Sequence, residues 1–125
     1  MTPTPTMLLR FAREVRVSPD FPVDSLWGRC RAVLIRQALE RALDALWDKR
    51  APALRLASRH SQFLCLPTYL REPELAGRIA SAWSALSNAC HYQSYEFAPT
   101  DTELENWLTS VEAFVEHCNN SAAVS

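Results

Sequence analysis

Thr100-Asp-Thr-Glu103 leads into Leu104-Glu-Asn-Trp-Leu-Thr-Ser-Val-Glu-Ala-Phe-Val-Glu-His-Cys118, and this stretch decides the fold class. Thr100 and Glu103 have the spacing of a capping box, in which the hydroxyl accepts from the backbone at Glu103 and the carboxylate reaches back. Behind it Leu104, Trp107, Leu108, Val111, Phe114, Val115 and Cys118 fall on one stripe at helical period. The spacing predicts a helix from Thr100 to about Asn119-Asn120, with Ser121 to Ser125 frayed.

Working backwards, Ala98-Pro99 closes the preceding segment, because the residue before a proline avoids helical geometry. Glu72-Pro73-Glu74 opens that segment with a proline in the first turn and carboxylates at the positive end of the helix dipole. Leu75, Ile79, Trp83, Leu86 and Cys90 continue the stripe, which predicts a helix to about Tyr95. A longer helix is expected from Asp24 or Ser25 to Arg50. Its apolar arc is read as Trp27, Cys30, Leu34, Ala38, Leu39, Ala42, Ala45 and Leu46, with Gln37, Glu40, Arg41, Asp44 and Asp48 on the polar side. Pro52 is expected to open a shorter helix that stops before Pro67.

Nearer the start, Met7, Leu8, Phe11, Ala12 and Val15 make a helical stripe, while Leu9, Phe11, Val15 and Val17 partly alternate as a strand would. Helix is preferred. Residues 1–6, with alternating prolines, read as a tail, and Ser18-Pro-Asp-Phe-Pro22 as a turn. The expected organisation is a tail and short helix over 1–17, one bundle domain over 18–120, and a frayed 121–125. The fold class is all-α, an antiparallel bundle of four main helices with a short N-terminal fifth.

Composition agrees. At 125 residues and 48% apolar content the chain can bury a core without staples. Two glycines argue against a turn-rich β-fold and against a Gly-rich phosphate loop. No apolar run reaches the roughly 18 residues of a membrane span, and no basic-then-apolar leader is seen, so the expectation is a cytoplasmic protein with no membrane partner. All 13 Lys and Arg lie between Arg10 and Arg78. Residues 1–78 also hold eight acids, for a formal +5, while residues 79–125 hold six acids and no Lys or Arg, for −6. Such asymmetry fits either two halves folded against each other or a charged-partner surface; interleaved acids favour the first.

Cys30, Cys65, Cys90 and Cys118 are too far apart for a zinc knuckle, and adjacent Cys90 and His91 point about 100° apart on a helix. Reduced thiols, no metal and no cofactor are expected. No nucleophile elbow, zincin, Walker or dinucleotide motif occurs.

The polar residues that stand out are Ser84, Ser87, Asn88, His91, Tyr92, Tyr95 and Glu96. A His and a Tyr on a nearly uncharged helical stripe fit two readings. His91 is a general base beside Asn88 and Tyr95, or the stripe is a hydrogen-bonded seam between helices. The seam is preferred, since spacing fixes no second catalytic group. Trp83, Ser84, Ser87, Tyr92 and Glu96 are the candidate interface residues. His60 is a weak further candidate, and His117 is assigned to the end of its own helix, where a cation is welcome. Trp27, Trp47, Trp83 and Trp107 read as core or dimer contacts.

The segment Ala82-Trp-Ser-Ala-Leu-Ser-Asn-Ala-Cys-His-Tyr-Gln-Ser-Tyr-Glu-Phe-Ala-Pro-Thr100, followed by Glu103-Leu-Glu-Asn-Trp107, resembles small bacterial helical proteins of the HEPN superfamily. That resemblance implies a compact, often dimeric helical bundle. Active relatives are metal-independent ribonucleases with an Arg four to six residues before a His. Here Ser84, Ala85 and Leu86 stand where an Arg paired with His91 would be, and in the alternative frame Asn88 and Gln93 replace the pair. The resemblance therefore implies a degenerate site and a non-catalytic interaction protein, a subunit of a bacterial defence or toxin–antitoxin-like assembly. The alternative is a ribonuclease using His91 with an Arg from elsewhere, such as Arg59 or Arg78. A homodimer through the Ser84–Tyr95 helix is expected, with a protein partner ahead of RNA.

Overall fold

The computed structural model describes residues 3–14, 24–90 and 99–124, and side chains within these except at 24–27 and 121–124. It is all helical, with no strand among the described residues: α1 (Pro5–Glu14), α2 (Asp24–Arg50), a 3-10 turn (Pro52–Leu56), α3 (Arg59–Leu70), α4 (Pro73–Cys90) and α5 (Asp101–Val124).

Helix α1 settles the ambiguity near the start in favour of helix, and it begins inside the expected tail. Thr4 Oγ1 accepts from Met7 N at 3.2 Å, and Pro5 takes the first helical position, where its missing N–H is not needed. Residues 15–23, including the expected turn, lie outside the described residues. Helix α5 runs on past Asn119-Asn120 to Val124, because no Gly or Pro follows to end it.

The capping box forms as read. Glu103 N donates to Thr100 Oγ1 at 3.1 Å, and Thr100 N donates to Glu103 Oε1 at 3.0 Å. Thr100→Ala should cost about 1 kcal/mol; a thermal melt matching the unaltered protein would show that the cap contributes nothing.

The expected single helix from Pro52 to Pro67 is two elements. Pro52 starts only a 3-10 turn, and α3 begins anew at Ser58, whose Oγ accepts from Ser61 N at 3.1 Å. The helix then passes through Pro67 and ends at Arg71, in left-handed geometry at φ 60°. Pro67 forfeits one late hydrogen bond, and the turn it allows buries Leu66 and Leu70.

One core cluster joins all five helices. Helix α2 packs against α1, α4 and α5, and α3 lies on α4. The buried line of α2 is Ala32, Ile35, Ala38, Leu39, Ala42, Leu43 and Trp47. Cys30 and Ala45, expected on that arc, are exposed. With neighbours on several sides, α2 buries an arc centred about a quarter-turn away from the one read, and the Trp27 side chain lies outside the described ones.

Basic and acidic halves do fold against each other. Arg13 on α1 donates to Glu112 and lies 3.8 Å from Glu105, both on α5. The hydrogen bond to Glu112 raises the guanidinium pKa above its ordinary value. Arg31 on α2 meets Asp101 and Glu105 at 3.8 and 3.7 Å and donates from Nε to the Ala12 carbonyl at 2.9 Å.

Candidate functional site

The polar cluster expected to carry function begins on the last two turns of α4, and its setting comes from three helices. Trp83 projects half-buried between α2 and α3. The Arg36 guanidinium lies 5.0 Å and that of Arg59 5.9 Å from its ring centre, and Phe63 of α3 meets it at 5.9 Å with a 40° tilt. Arg59 Nη1 donates to Asp44 Oδ1 at 3.0 Å and to Gln62 Oε1 at 2.8 Å, with Nη2 3.6 Å from Glu40. Arg36 Nε is 3.3 Å from Glu40 Oε1 but out of line for a hydrogen bond. Arg55 continues the ladder, donating to Asp48 at 2.9 Å and standing 3.5 Å from Asp44.

Three guanidiniums thus face three carboxylates, and two of them, Arg36 and Arg59, lie over one indole. The arrangement is a charge-balanced brace: each cation is already paired, so little field remains to attract a phosphate. Arg29 donates to the Ala89 carbonyl at 3.4 Å. Burial pushes the Cys90 thiol pKa upward, opposed by the neighbouring Arg36, which leaves it a poor nucleophile.

Among the expected site residues, Ser84 and Asn88 are exposed, and the Ser87 hydroxyl is buried without a hydrogen-bond partner. The described part of the stripe is therefore not a hydrogen-bonded seam. His91, Tyr92, Tyr95 and Glu96 lie outside the described residues. His60 is exposed. Arg78 donates to Ser110 Oγ at 3.2 Å, and that hydroxyl donates to the Asn106 carbonyl at 3.0 Å.

The chain matches no family model, no curated protein and no solved structure.

His117 is assigned to its own helix end by the sequence, yet α5 continues beyond it. Its Nε2 instead faces the Leu70 carbonyl at 3.0 Å and its Nδ1 stands 3.7 Å from Glu72. It serves the C-terminus of α3, a helix distant in sequence. A cleft of about 440 Å³ runs between α1 and α5 over Leu9 and Val115, flanked by Arg10, Arg13, Glu112 and Glu116. Among the described residues no group of His, Cys, Asp and Glu is placed to hold a metal, and no helix is long and apolar enough to cross a membrane.

Burial pushes the Cys118 thiol up to about 11, against a smaller opposing effect of Arg50. The unfolded thiol titrates near 8.5. A raised folded value means that this contribution to stability is complete below about pH 8.5 and is lost as pH rises towards about 11. Iodoacetamide at pH 8 should label exposed Cys30 first and Cys118 last. Early labelling of Cys118 in folded protein would contradict its burial.

Proposed function

We propose that this chain is a small HEPN-like helical interaction protein, a cytoplasmic, non-catalytic subunit of a bacterial defence or toxin–antitoxin-like assembly that also pairs with itself. The observation that carries this reading is the commitment of Arg59, one of the two nominated arginines. Arg59 is held by Asp44, Glu40 and Gln62, whereas exposed Arg78 makes a single hydrogen bond, to Ser110. Ribonuclease chemistry of the alternative kind needs a guanidinium free to face a phosphorane.

The bundle is read as antiparallel, now with α1 rather than α3 as the fourth core helix beside α2, α4 and α5. Arg29 to Ala89 and Arg36 to Trp83 support opposed directions for α2 and α4. Arg78 to Ser110 and Glu72 to His117 do the same for α4 and α5. The buried Leu8, Leu9 and Ala12 bring α1 into the same core.

Incubation with tRNA and with single-stranded RNA is expected to leave both intact. Cleavage that disappears in His91→Ala would replace this reading with the ribonuclease. A pull-down from the native host, with the assembly subunit recovered at near-equal amount, identifies the partner.

A further inference from the structure

We draw no further inference here: the strongest candidate, the cleft between α1 and α5, has a floor of the nearly buried Leu9 and Val115 and walls in which Arg13 and Glu112 already pair with each other, and nothing in the structure shows what would fill it.

Discussion

Trp47→Ala should lower the unfolding free energy by about 3–5 kcal/mol, with a fall in Tm of more than about 10 °C at this chain length. Trp47 is fully buried near the end of α2, and Tyr69 of α3 meets it edge-to-face with ring centres 5.4 Å apart. Removing the indole takes away the largest side chain in the core and leaves a cavity that helices on several sides cannot jointly fill. Its Nε1 has no hydrogen-bond partner, so Trp47→Phe gives up volume and no hydrogen bond. That variant should cost about 1–2 kcal/mol, well below the alanine figure. Chemical denaturation of the pair decides the matter. Equal losses for both variants would mean that the ring nitrogen is hydrogen-bonded after all.

The second large effect is expected at Gln62. Its Nε2 donates to the Leu54 carbonyl at 2.8 Å and to the Ala57 carbonyl at 3.1 Å, while its Oε1 accepts from Arg59 at 2.8 Å. One buried amide thereby ties the 3-10 turn, the start of α3 and the Arg59 brace. Gln62→Leu keeps the volume and strips all three bonds, leaving the Ala57 carbonyl without its donor and the Leu54 carbonyl with only the Ala57 backbone N–H at 3.1 Å. The expected loss is about 2–3 kcal/mol. A leucine variant as stable as the parent, in a urea titration with unchanged slope, would show that water takes over these carbonyls freely.

Local chemistry was legible in the sequence, and cross-helix geometry was not. The bounds of α2 and the Thr100–Glu103 box follow from signals within a few residues. Pro67 misleads because a proline forbids one hydrogen bond, whereas tertiary burial of Leu66 and Leu70 carries the helix past it. On α2, apolar residues occupy so wide an arc that period alone cannot say which line faces inward; Ile35 and Leu43 do, and Cys30 and Ala45 do not. The Arg36–Trp83–Arg59 brace joins three helices. Its halves, Arg36 with Glu40 and Arg59 with Gln62, have visible i,i+4 and i,i+3 spacings, but nothing local sets their register on Trp83. His117 shows the same limit. Its suitability for a helix end was readable, but not that the end belongs to α3.

The Arg13–Glu112 contact spans 99 residues of chain, and it orders events during synthesis. Helices α3 and α4 can begin to associate as they emerge, because they adjoin in sequence, and α2 can join them once α4 is made, as in the Arg29–Ala89 contact across 60 residues. Helix α1 emerges before all of them, yet part of its docking surface is α5, translated last of the five. At about 5–20 residues per second, several seconds separate the appearance of Leu8, Leu9 and Ala12 from that of Val111 and Val115. Throughout that interval the apolar face of α1 has only the α2 side of its seat to rest on. The nascent chain is then most open to chaperone capture, and a binding chaperone should lose its grip once α5 clears the ribosome.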